Sequence, residues 1–169
     1  IMTVSLSAEH KVRFYGSDNL KAWTLLSEFG PAGATGGVWE CPDLFELPLP
    51  GTNDKRWVLV VNMNPGSVAG GSGGQYFIGR FDGTQFVADR DSLIPPRPGR
   101  SASESAHWFD YGPDYYAAVS WSDVPVSDGR LGVLRPRVAA LLRQLAVRVD
   151  ARAQRQPDEQ RSAEARAVG

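Results

Sequence analysis

Cysteine and histidine are nearly absent from this 169-residue chain, which has one Cys and two His. Cys41 alone cannot form an internal disulfide, and one Cys with two His does not make a common zinc site. No run of 18 or more apolar residues occurs, which excludes a transmembrane helix. The first residues lack a basic n-region, so no signal peptide is read there. A formal net charge of −1 gives no electrostatic case for nucleic acid. Aromatic residues are missing from one end, since all 17 lie at or before Trp121. Arg130–Gly169 instead carries nine Arg and eight Ala. Charge divides at the same place, with net −6 over residues 1–129 and +5 over the last 40. Two kinds of sequence are joined, 1–129 and 130–169.

The first part is predicted to be a series of short antiparallel strands. Apolar and polar residues alternate in Lys11–Tyr15, as on a half-buried strand. Ile1–Ser7, Trp23–Phe29, Val38–Leu47, Gln75–Phe81, Gln85–Ala88, Trp108–Tyr111 and Tyr115–Trp121 are read as further strands. Trp57–Met63 is continuously apolar and reads as a central strand buried on both faces. Asp82-Gly83 marks a hairpin tip, and residues 89–106 form a Pro/Ser/Arg-rich loop. Short strands with Gly/Pro-rich turns and almost no helix give an all-β sandwich, barrel or propeller. The tail differs: Val138–Val147 has helical composition, and Ala151 onward reads as disorder or a frayed helix. A basic amphipathic helix suits a partner or membrane surface, but a solvated tail without function is the preferred reading.

Several segments invite a chemical reading. Gly70-Gly71-Ser72-Gly73-Gly74 satisfies the letter of a nucleophile elbow, which needs a strand before it and a helix after it. Here a Gly-rich loop precedes and a β-like run follows, so a loop is preferred. His10 and His107 read as surface or hydrogen-bonding residues. Most Trp residues read as core, although aromatic rings also stack on sugars. The informative segment is Trp39-Glu40-Cys41-Pro42-Asp43-Leu44-Phe45. An apolar wall disfavours the charged form of a carboxyl group, which suits a general acid. Glu40 and Asp43 are three apart, so on a regular strand they face opposite sides. Spacing alone favours a structural strand end.

These residues resemble something more specific. Gly37–Phe45 is similar to the acid/base motif of glycoside hydrolase family 32, the levanases, inulinases and invertases. Asn62–Gly66, Gly70–Gly73, Gln75–Gly79 and Phe81–Gly83 resemble the next stretch of the levanase and exo-inulinase branch. Trp108–Ala118 resembles the family's Asp-Tyr-Gly-x-Asp-x-Tyr-Ala segment. The resemblance covers about residues 1–130. It implies a five-bladed β-propeller, present here in part, and retaining hydrolysis of β-fructosides such as levan, inulin or sucrose. Glu40 matches the general acid/base, Trp39 is expected to line the sugar site, and Cys41 to sit against Glu40 and tune its pKa. Asp43 is expected to be a local hydrogen-bonder. The resemblance implies no metal and no organic cofactor, and a secreted or periplasmic parent enzyme.

The departures from the family pattern are as informative. The Trp-Met-Asn-Asp-Pro-Asn-Gly motif that carries the nucleophile is absent, and so is the Arg-Asp-Pro motif. After Arg130 the sequence leaves the family pattern, as a shifted reading frame in a GC-rich gene would make it do. The chain is thus expected to be the middle of a fructan hydrolase with negligible activity alone, and open blade edges are expected to favour self-association. Two rivals of other classes are a carbohydrate-binding remnant and an interaction protein using the basic tail. A related five-bladed family acting on α-arabinosides fits residues 62–79 less well.

Overall fold

The computed structural model describes residues 1–49 and 51–120. The junction at residues 129 and 130, and the helix expected at Val138–Val147, lie outside the described residues. The described part is all-β, in two open antiparallel sheets.

The first sheet has the order β1 (Met2–Leu6), β2 (Lys11–Gly16), β3 (Thr24–Phe29). The alternation seen in the sequence is realised in β2, where Val12 and Phe14 are buried and their neighbours half-buried. On the outer side Lys11 Nζ and Arg13 Nε reach the Glu28 carboxylate of β3 at 3.1 and 2.6 Å. A single 3₁₀ turn, Ser7–Glu9, joins β1 to β2 and ends on His10 at φ 54°.

The second sheet is the meander β4 (Val38–Pro48), β5 (Lys55–Asn64), β6 (Gly73–Phe81), β7 (Phe86–Ala88), with β8 (His107–Trp108) also on β6. β7 and β8 share the outer edge of β6, opposite Gly79–Phe81 and Gln75–Tyr76 respectively. The apolar run in β5 is buried on both faces as expected, with Val58 to Met63 all at 0% exposure. One face of the sheet carries Trp39, Leu59, Val61, Met63 and Phe77, which pack on Val12 and Phe14 of the first sheet. The other carries Val58, Val60, Tyr76 and Ile78, covered by Leu49 and Phe109. Each of these large apolar side chains contributes about 1.5–3 kcal/mol by leaving water.

The loops follow local chemistry. Asp82 Oδ1 accepts the Thr84 and Gln85 amides at 2.8 Å each, closing the hairpin over Gly83 at φ 94°. The Gly70–Gly74 segment runs directly into β6 rather than a helix, so it lacks the geometry of a nucleophile elbow. The expected strand Tyr115–Trp121 is not formed over its described residues. Ala117 stands at φ 53°, which breaks extension, and residues 116 and 120 bond to side chains of β4 instead. The expected strand Trp108–Tyr111 is cut short, because Asp110 Oδ1 takes the Gly112 amide at 2.6 Å and turns the chain.

Candidate active site

The start of β4 is held from three sides. A Cβ on Gly37 would come within 1.9 Å of the Pro65 carbonyl oxygen, so only glycine lets the two loops pass. His10 Nε2–H donates to the Gly37 carbonyl at 2.8 Å, and its ring meets Trp39 edge-on at 6.0 Å. Trp39 Nε1–H donates to the Ala34 carbonyl at 2.8 Å. Gln75 grips the same residue from β6, accepting from Ala34 N–H and donating to Ala34 O, both at 2.9 Å.

Trp39 therefore does not take the place expected from the sequence. Its exposure is 0%, so no ring face is free to stack on a sugar. The indole is a core anchor that fixes the strand one residue before Glu40.

Glu40 points to the opposite face. It is half-buried and lies directly across from Asn62 of β5. The register then moves from Glu40↔Asn62 to Asp43↔Val60, three steps on β4 against two on β5. This is a β-bulge at Cys41-Pro42, with Cys41 at φ 44°. The extra residue reverses the parity of the strand. Glu40 and Asp43 consequently share a face, contrary to the expectation from regular spacing. Asn62 Nδ2 donates to the Cys41 carbonyl at 2.9 Å and so holds the bulge.

Both carboxylates meet the segment that follows β8. The Tyr116 hydroxyl donates to Glu40 Oε2, and the Ser120 amide donates to Asp43 Oδ2 at 2.5 Å. The hydrogen bond to Glu40, followed by burial and the Glu40 charge, pushes the Tyr116 phenol up to about 12. Cys41, exposed and next in sequence to Glu40, adds a smaller push of the same sign on Tyr116. Tyr116 is 40% exposed, so the Glu40 carboxylate sits at a surface that opens to solvent. Sequence reasoning gave Tyr116 no role. Its place inside the Asp-Tyr-Gly-x-Asp-x-Tyr-Ala segment was the available signal.

The arrangement suits proton exchange at one oxygen pair: a half-buried carboxylate, one hydroxyl donor on it, and a hydrogen-bonded bulge beside it. Among the described residues no three His, Cys, Asp or Glu side chains gather where they could hold a metal ion. No helix among them is long and apolar enough to cross a membrane. A cavity of about 470 Å³ lies between Gly16–Asn19 and Gly83-Thr84 and includes none of the site residues.

Residues 1–134 match the model described as glycosyl hydrolases family 32 N-terminal domain. The chain is 47% identical over 130 residues to the extracellular exo-inulinase of Aspergillus niger, covering 76% of this chain and 23% of that protein. It is 52% identical over 127 residues to the levanase of Bacillus subtilis, covering 74% and 17%. Among solved structures, the exo-inulinase of Aspergillus awamori aligns with TM-score 0.63 and 50% identity, over 70% of this chain and 22% of that one. A β-fructofuranosidase from Schwanniomyces occidentalis, complexed with fructosyl-erythritol, aligns with TM-score 0.62 and 41% identity, over 73% and 22%. The chain thus spans less than a quarter of the length of these relatives. By its match over residues 1–134, it belongs to glycoside hydrolase family 32, as part of the N-terminal domain.

Proposed function

We propose that this chain is a section of a β-fructosidase that cleaves fructans or sucrose-like β-fructosides with retention, and that Glu40 is its acid/base. The observation that carries the reading is the placement of Glu40: one half-buried carboxylate, set by a bulge and met by the Tyr116 hydroxyl. The relatives named exo-inulinase, levanase and β-fructofuranosidase support the substrate class. On this reading the meander β4–β7 is one blade of a five-bladed propeller and β1–β3 belongs to the blade before it.

The chemistry needs two carboxyl groups roughly 5–5.5 Å apart. Protonated Glu40 gives its proton to the leaving glycosidic oxygen while a second carboxylate attacks the anomeric carbon. The resulting Glu40 carboxylate then takes a proton from water as that water opens the fructosyl ester. Asp43 shares the face, but its Oδ2 is held by the Ser120 amide, which suits it to fixing the loop. Trp39 serves by anchoring the strand, and Cys41 by occupying the bulge beside Glu40. The nucleophile comes from the N-terminal motif that this sequence lacks, so the isolated chain hydrolyses nothing measurable.

The test is leaving-group dependence in a complete β-fructosidase that contains residues 1–120. Glu40→Gln lowers kcat/KM on inulin by about 10²–10⁴-fold, the usual contribution of a general acid. The loss is far smaller for p-nitrophenyl β-fructofuranoside, whose leaving group needs little protonation. Equal losses on both substrates contradict the role.

A further inference from the structure

We propose that Asn62 is a positioning residue for the reaction: by bonding the Cys41 carbonyl it holds the bulge that presents Glu40 to Tyr116. The proposal rests on the acid/base reading of Glu40.

Asn62 is out of place by composition. It sits within the run Val58–Met63, fully buried, and is the one polar side chain in it. A valine or methionine there would extend the apolar core on either side. The amide is only half used, since Nδ2 bonds the Cys41 carbonyl at 2.9 Å while Oδ1 is buried without a partner among the described residues. A buried acceptor left over is a cost to folding. The bond that Asn62 does make therefore stands out as its function in this strand.

That bond falls at the position where it matters. Cys41 is a non-glycine residue at φ 44°, a conformation that needs outside support. A bulge residue leaves the regular ladder, and Pro42 after it has no N–H to give. Asn62 donates to the Cys41 carbonyl from the adjacent strand, where it lies directly opposite Glu40. If the bulge relaxed into a regular ladder, Glu40 and Asp43 would fall on opposite faces, and one would leave the 116–120 segment. Gly74, opposite Asn62 on β6, leaves room for the amide, because a Cβ there would lie 3.2 Å from Oδ1.

Two variants test this, Asn62→Leu and Asn62→Val. Both remove the donor and the orphan acceptor, and the near-isosteric Leu keeps the volume that Val gives up. In the full 169-residue chain, NMR of the wild type is expected to show a strong intraresidue HN–Hα contact at Cys41, the mark of positive φ, and contacts between the Tyr116 ring and the Glu40 methylenes. Both are lost in the variants. In a complete β-fructosidase carrying the segment, the variants lower kcat on inulin by about 10- to 100-fold, as misplacement of a catalytic group by about an ångström does. KM stays within about twofold, and p-nitrophenyl β-fructofuranoside loses less than about threefold, because that leaving group departs with little help. Unchanged Cys41 and Glu40 contacts, or equal losses on both substrates, overturn the proposal. A Glu40→Gln enzyme that shows no leaving-group dependence instead overturns the acid/base reading, and the positioning role with it.

Discussion

Gln75 holds both backbone groups of Ala34, its Oε1 taking the N–H and its Nε2 bonding the carbonyl, each at 2.9 Å. Both residues are fully buried, and Trp39 Nε1 bonds the same carbonyl. The clasp ties the loop before β4 to the middle of β6. Gln75→Leu leaves the Ala34 N–H without a partner in the core and destabilises the fold by about 2 kcal/mol. Gln75→Glu is worse, because it sets a carboxylate against the Ala34 carbonyl. Urea denaturation measures both, and a Leu variant as stable as the wild type contradicts the account of this loop.

Space and backbone conformation make different demands on glycine, and two positions separate them. Gly37→Ala drives a Cβ into the Pro65 carbonyl region, where atoms already lie at 1.9 and 2.8 Å. The strand start must shift, with a loss of about 2–3 kcal/mol. Gly51 has nothing within 4 Å but stands at φ 80°, so Gly51→Ala meets only backbone strain, about 1–2 kcal/mol. Thermal denaturation of the two variants should show the larger loss at Gly37. The opposite order refutes the close-approach argument.

Tyr116 supplies the hydroxyl that meets Glu40. In a complete β-fructosidase, Tyr116→Phe keeps the ring and removes that donor. It should lower kcat on inulin about tenfold with KM little changed, as for loss of a group that orients the acid. Steady-state kinetics on the purified enzyme check this, and an unchanged kcat contradicts it.

His107 makes stability depend on pH. Burial pulls its pKa below 6.5, against a smaller upward pull from a backbone hydrogen bond at Asp91, and its Nε2 is buried without a partner among the described residues. The unfolded chain therefore takes up a proton at His107 before the folded one does. Stability is complete above the unfolded value of 6.5 and falls as pH drops from there toward the lower folded value. His107→Gln removes this contribution. Melting temperatures from pH 7.5 to 5 should fall less steeply in the variant, and parallel curves contradict the assignment.

Much of the fold was legible in the sequence because its signals are local. The period of two in Lys11–Tyr15, the apolar run in β5 and the Asp82-Gly83 turn each depend on a few neighbouring residues. Glu40 stands out in the sequence through its flanking motif. The bulge at Cys41-Pro42 was not read, because its support, Asn62, lies 21 residues away on another strand. Pro42 was the overlooked hint, since a residue without an N–H cannot continue a ladder. Missing the bulge reversed the predicted relation of Glu40 to Asp43. Trp39 was misplaced because a Trp beside a carboxylate fits both a sugar platform and a core anchor. Its fate was decided by Ala34 and His10, which touch it only in the folded chain.

The central claim is that Glu40 is the acid/base of a retaining β-fructosidase, and azide tests it most directly. In a complete enzyme that contains residues 1–120, a Glu40→Ala variant given p-nitrophenyl β-fructofuranoside still forms the fructosyl intermediate but hydrolyses it slowly. Azide needs no general base, so the account predicts that added azide restores turnover and that the product is β-fructosyl azide. No rescue by azide, or an α-fructosyl azide product, would contradict it.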